Sequence, residues 1–131
     1  TEITPEVEDI RTYVMGKGVE LSGATNDRRT ERFRLESLYY FEALDEKLFA
    51  CTEEQVYEVK MRLYEAERDF ERFHFVRCSK SVILNLLLLE GISPALNGRF
   101  FAHMKNGERL MISRQYAGKM KRIVMGGGIN E

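Results

Sequence analysis

The chain of 131 residues is 44% hydrophobic, 11% aromatic and 31% charged, enough apolar material for one packed domain with an ordinary charged surface. Its longest apolar run, Val82–Leu89, is broken by Asn85 and is too short for a membrane span, and the acidic N-terminus lacks a signal-peptide pattern. Net charge is −1, yet residues 1–70 hold ten Lys/Arg against seventeen Asp/Glu while residues 71–131 hold ten against four. That asymmetry hints at a polyanion partner for the second half, although a salt-bridged chain with solvated faces would show it too.

Thr4-Pro5-Glu6 reads as a helix start, and Val7, Ile10 and Val14 recur at helical spacing until Gly16 and Gly18 stop the pattern. This places a helix-containing extension over residues 1–26, whose apolar stripe must dock on the domain or on a second copy. From Val19 the period falls to two. Val19–Gly23 and Thr30–Leu35 alternate, and Leu38–Phe41 is a compact run that suits a buried strand. Asp45-Glu46-Lys47 is a polar connection into Leu48–Thr52, and Glu53-Glu54 turns into a strand over Gln55–Val59. Met61, Tyr64 and Ala66 through Phe70 suggest a helix of two to three turns.

Phe73–Cys78 and Val82–Asn85 read as strands around the polar triplet Ser79-Lys80-Ser81. Asn97-Gly98 and Asn106-Gly107 each read as a tight I′ turn, joining Ile92–Leu96 to Arg99–Met104 and that strand to Arg109–Ile112. Ser113 is placed to cap a final helix through Tyr116, Met120 and Val124, which Gly126-Gly127-Gly128 ends. Residues 27–125 thus form the main domain, and 126–131 a flexible tail.

No catalytic constellation can be assembled, so the chain reads as no enzyme, with neither a small-molecule substrate nor a cofactor. His74 and His103 fall in expected strands without partnered motifs and read as structural or surface residues. The glycine run has no Lys-Ser/Thr and no following helix, so it is no phosphate loop. Cys51 and Cys78 have no metal spacing and read as buried, reduced thiols of a cytoplasmic protein. The informative stretch is 73–124, where short polar segments between strands carry isolated cations, among them Arg77, Lys80, Arg99, Arg109 and Arg114. A helix-turn-helix reader needs two adjacent helices, which the pattern lacks. If this chain binds DNA, loops on a sheet must do it, with Lys or Arg donating to guanine edges or phosphates.

Phe75-Val76-Arg77-Cys78-Ser79-Lys80-Ser81-Val82-Ile83-Leu84-Asn85-Leu86 resembles the central signature of LytTR-type bacterial DNA-binding domains. Leu96-Asn97-Gly98-Arg99-Phe100, Lys105-Asn106-Gly107-Glu108-Arg109-Leu110 and Ile112-Ser113-Arg114-Gln115-Tyr116 resemble the family's C-terminal hairpin and Ser-Arg-x-Tyr. Leu38-Tyr39-Tyr40-Phe41-Glu42 with Leu48-Phe49-Ala50 resembles its first hairpin, and the likeness spans about residues 28–124. The resemblance implies a mainly β fold of small antiparallel sheets with a few short helices, one N-terminal and one C-terminal. It implies sequence-specific binding to double-stranded promoter DNA for transcription regulation, with loops in successive major grooves, and allows a homodimer on paired repeats.

Carried over by position, Lys47, Lys80 and Arg114 would contact bases, with Glu46 the alternative occupant of the first slot. Arg77 and Ser79 would lie near phosphate, and Asn85 would be structural. Many relatives carry a receiver domain upstream; here the 26-residue extension has no aspartate pocket, so control by a regulatory membrane-protein partner, as in some stand-alone relatives, is the expectation. The alternative functions are a protein-interaction module of the same fold and a single-stranded nucleic-acid binder. The second would need exposed stacking aromatics, whereas Tyr39, Tyr40, Phe41, Phe73, Phe75, Phe100 and Phe101 sit in strand-like runs that favour core packing.

Overall fold

The computed structural model describes residues 18–126. The expected helix around Val7, Ile10 and Val14, and residues 127–131 of the expected tail, lie outside the described residues. Ten strands form two antiparallel sheets. They are β1 (Glu20–Ala24), β2 (Thr30–Arg34), β3 (Tyr40–Leu44), β4 (Lys47–Cys51), β5 (Val56–Val59), β6 (Phe75–Arg77), β7 (Val82–Asn85), β8 (Leu89–Pro94), β9 (Phe100–Met104) and β10 (Arg109–Ile112). Two helices accompany them, α1 (Leu63–Phe70) and α2 (Arg114–Val124). The larger sheet runs β2-β1-β5-β4-β3-β7-β6 and the smaller β10-β9-β8.

Period-two side chains put a different core on each face of the larger sheet. One face carries Phe41, Phe75, Ile83, Leu48 and Val59 against Ala66 and Phe70 of α1. The rings of Phe41 and Phe75 lie 5.7 and 6.3 Å from that of Phe70. On the other face Val76, Cys78 and Leu84 meet Ala102, Met104 and Ile112 of the smaller sheet and Ala117 and Met120 of α2. The strand β6–β7 hairpin is therefore buried on both sides, which explains its near-continuous apolar sequence. Asn85 is the polar member, 1% exposed. Its amide donates to the Leu38 carbonyl at 2.9 Å and its oxygen accepts from Leu87 N at 3.0 Å, so it is structural and satisfied.

Several local expectations are corrected. The strand expected over Leu38–Phe41 starts at Tyr40, because Leu35–Ser37 forms a 3-10 turn first. Asn97-Gly98 has the positive φ pair of an I′ turn, 62° and 78°. Asn106-Gly107 does not: only Gly107 has positive φ, and its N–H donates to the Met104 carbonyl at 2.9 Å. That is a three-residue loop with a left-handed glycine, stabilised by the Asn106 side chain accepting from Glu108 N at 3.0 Å. The I′-like pair overlooked in the sequence is Asp45-Glu46, at φ 53° and 65°, which closes β3 onto β4 with Leu44 opposite Lys47. His74 is not in a strand but is the left-handed residue ending a 3-10 turn, at φ 75°. Strand β1 lies within the segment 1–26 and pairs along its whole length with β2. Both thiols are buried and free. Among the described residues no helix is long and apolar enough to cross a membrane.

Candidate nucleic-acid interface

Three separate pieces of chain converge at one end of the larger sheet. The first is the Asp45-Glu46 turn, which leaves Lys47 exposed as the first residue of β4 rather than inside a loop. The second is the Ser79-Lys80-Ser81 loop between β6 and β7, closed by Cys78 N donating to the Val82 carbonyl at 2.9 Å. The two are joined directly, since Ala43 N in β3 donates to the Ser81 carbonyl at 2.8 Å. Lys47 and Lys80 line one shallow depression together with Glu46, Arg62, Tyr64 and Arg77. The third piece is the start of α2, tied to the second by Ser113 N donating to the Cys78 carbonyl at 2.9 Å. Arg114 follows at once.

Each element has a local cause. The hairpin loop is short because the register pairs Arg77 with Ile83 and Phe75 with Asn85. Helix α2 begins where β10 ends, with Ser113 in extended conformation. Its side chain makes no cap hydrogen bond, contrary to expectation; its carbonyl accepts from Tyr116 N at 2.9 Å instead. The Arg114 stem lies across the Asn97-Gly98 turn, where a Cβ on Gly98 would come 3.0 Å from the Arg114 Cδ. The φ of 78° favours glycine at this position, and a Cβ there would push the Arg114 stem aside.

Lys47, Lys80 and Arg114 are exposed and none forms an ion pair among the described residues. Their charges stay available to a partner. Ser79 is half-buried, its hydroxyl accepting from Ser81 N at 3.3 Å. Arg77, expected beside phosphate, is turned inward. Its Nη2 donates to Glu67 Oε1 at 2.8 Å and its Nη1 to the Lys80 carbonyl at 2.9 Å, with the side chain 17% exposed. The reason is strand parity, which sets Arg77 on the same face as Phe75, towards α1.

Arg62 and Tyr64 were not singled out from the sequence, because a Tyr at helical spacing among charges reads as core; here Tyr64 is 60% exposed at the depression's rim. Of the seven aromatics weighed for stacking, Tyr39, Phe41, Phe73 and Phe75 are buried, and Arg109 covers Phe101 at 4.3 Å. Tyr40 and Phe100 are half-buried, and Lys121 lies over the Phe100 ring at 5.4 Å. Among the described residues no three His, Cys, Asp or Glu side chains are grouped to hold a metal ion.

Comparison with known proteins bears on the family and the fold. The LytTr DNA-binding domain family matches residues 28–125. A solved LytTr DNA-binding domain from Bacillus cereus superposes with a TM-score of 0.74 at 29% identity, covering 83% of this chain and 98% of that one. An uncharacterized HTH-type transcriptional regulator of Staphylococcus aureus (strain bovine RF122 / ET3-1) is 28% identical, the match covering 72% of this chain and 64% of the relative. Its counterpart in strain MRSA252 is 27% identical over the same shares. The match thus spans less than two thirds of these relatives' length. In this chain five strands separate α1 from α2, so no two described helices form a helix-turn-helix.

Proposed function

The chain belongs to the LytTr DNA-binding domain family, and on that premise we propose that it is a transcription regulator that reads duplex DNA by sequence. The family is a DNA-binding one and not a class of enzymes. In this reading Lys47, Lys80 and Arg114 project from the three converging pieces of chain to base edges in the major groove. Ser79 sits beside a backbone phosphate. Two copies bind paired repeats in promoter DNA.

The observation that carries the reading is the convergence of three exposed cations, none ion-paired among the described residues, on hydrogen-bonded neighbouring elements at one end of a rigid sheet. Base reading needs this arrangement: long donors held by backbone that does not move. A protein-interaction module would instead be favoured by cations of this end already neutralised by the acid-rich half, and among the described residues Arg77 alone of them pairs with an acid. Selection of bound duplexes from a random pool, at fixed salt and against nonspecific competitor, tests the reading. Enrichment of one motif is expected; a pool that stays random would overturn it.

A further inference from the structure

Resting on that reading, we propose that Glu67 and Arg77 are positioning residues that fix the shape of the Lys80 loop, so that an acidic residue on α1 contributes to DNA specificity without touching DNA. The geometry is a two-armed brace. One arm of the Arg77 guanidinium donates to Glu67 Oε1 at 2.8 Å and the other to the Lys80 carbonyl at 2.9 Å. The planar fork can make both bonds at once, which a lysine ammonium on a flexible stem would not reproduce.

The brace is built by two matching periods. Glu67 precedes Phe70 by three residues on α1, and Arg77 follows Phe75 by two on β6. Phe70 and Phe75 pack against each other in the core, so the next pair outward, Glu67 and Arg77, meets at the sheet's end. The core contact therefore sets where the guanidinium stands.

The loop has few other restraints. Beyond the hairpin closure, where Cys78 N and Ser79 N donate to the Val82 carbonyl, and the Ser79 hydroxyl accepting from Ser81 N, its carbonyls at Lys80 and Ser81 are held by Arg77 and by Ala43 N at 2.8 Å. Arg77 Nε is buried with no hydrogen-bond partner among the described residues. One donor is left unsatisfied while the two terminal nitrogens make the bonds that shape the loop. With the carbonyl of Lys80 held inward, its side chain is directed outward and is exposed. Removing the brace frees the loop to sample orientations, and a base contact spread over several orientations loses discrimination.

The test exploits a sign. Glu67→Met keeps the side chain's length but removes the acceptor of the Arg77 bond together with a negative charge near the proposed DNA surface. Simple charge attraction would tighten binding to every duplex. The brace instead predicts that the ratio of cognate to scrambled affinity falls about five- to ten-fold, the size of a weakened base contact. Arg77→Lys, which keeps the charge and loses the fork, is expected to lower the ratio similarly, with an unchanged salt slope. If Arg77 contacts phosphate in the complex, Arg77→Lys would behave as wild type and Arg77→Ala would weaken both duplexes alike and lower the slope by about one.

Amide hydrogen exchange of the full chain without DNA supplies a second readout: faster exchange at Ser79–Ser81 in Glu67→Met is expected while β3 and β4 remain protected. Unchanged exchange there, or a wild-type ratio in both variants, overturns the brace. A wild-type protein with no preference for any duplex would overturn the functional reading instead, and the exchange result would still decide the brace.

Discussion

The β1–β2 hairpin pairs three of its four arginines with acids, leaving Arg28 at its turn without one among the described residues, whereas the loop end of the sheet leaves Lys47, Lys80 and Arg114 unpaired. On the hairpin Arg29 pairs with Glu31 at 2.7 Å, Arg34 with Glu36 at 3.2 Å, and Arg32 with Glu20 across the strands. Two of these pairs are i, i+2 neighbours, and the third is the diagonal contact that the register creates beside Glu20–Arg34 and Ser22–Arg32. At the loop end Lys47, Lys80 and Arg114 stand exposed with no acid paired among the described residues. The lesson is that a count of Lys and Arg does not locate a polyanion surface; what matters is which cations the fold leaves without an acid. The paired edge is a charged, twisted strand margin of the kind that discourages sheet-to-sheet association.

The largest expected effect concerns the two buried thiols of the interior. Burial pushes the Cys51 thiol up to about 11 and the Cys78 thiol up to about 12, against an ordinary value of 9.0. The folded value lies above the unfolded one, so the contribution to stability is complete below pH 9 and is lost as pH rises towards 11–12. On the order of several kcal/mol is at stake if both thiols must ionise on unfolding. Urea unfolding at pH 7.5 and pH 10.5 measures it. The double variant Cys51→Ala/Cys78→Ala is expected to lessen the pH dependence, leaving the part due to Tyr39, Tyr40 and Tyr57, whose hydroxyls burial also pushes up, and an unchanged dependence would contradict the burial assigned to both thiols.

Next in size is a variant confined to the paired region. A Cβ at Gly23 would lie 2.7 Å from the Tyr57 Cβ and 3.1 Å from the Phe33 ring, whose stack with Tyr57 crosses the strand there. Gly23→Ala is expected to cost about 1–3 kcal/mol by overpacking, read in a thermal melt, while the affinity of the folded fraction for DNA stays put. Loss of DNA affinity in excess of unfolding would mean that the two regions are not independent.

Smaller effects sharpen the contrast of charges directly. Arg29→Ala and Arg34→Ala are expected to leave the slope of log affinity against log salt unmoved, because their charges are already met on an edge remote from the loops. Lys119→Ala, an exposed cation on the outer side of α2, is expected to lower that slope by about one or leave it alone, without changing the preferred sequence. A change of preferred motif in any of these three variants would show that the surface extends beyond the loop end.

Much of this was legible in the sequence, for reasons that particular residues make plain. Strands with clear alternation and bounded by turn residues, such as Thr30–Arg34 and Phe100–Met104, were found within a residue or two, since period two is a local property. The seven-stranded order was not, because pairing of β1 with β5 and of β3 with β7 depends on contacts distant in sequence. The Asp45-Glu46 turn was hidden because neither residue advertises positive φ as glycine does. Asn106-Gly107 misled for the converse reason: one dipeptide serves two loop geometries, and loop length decides between them.

In the candidate site, Lys80 and Arg114 stood out as cations in polar breaks between elements. Arg77 looked the same in sequence, and only its strand parity and the position of Glu67 on α1 turn it inward. Asn85 was readable as structural because a lone amide in an apolar run must find partners within the core.

The central claim is that Lys80 and Arg114 read bases and do not merely attract phosphate. Competition titrations of Lys80→Ala and Arg114→Ala against cognate and scrambled duplexes at one salt concentration, with melts alongside, test it most directly. Each variant is expected to lose about 1–3 kcal/mol on the cognate duplex and much less on the scrambled one, with an unchanged melting temperature. Equal loss on both duplexes in both variants, or a lowered melting temperature with specificity intact, would contradict it.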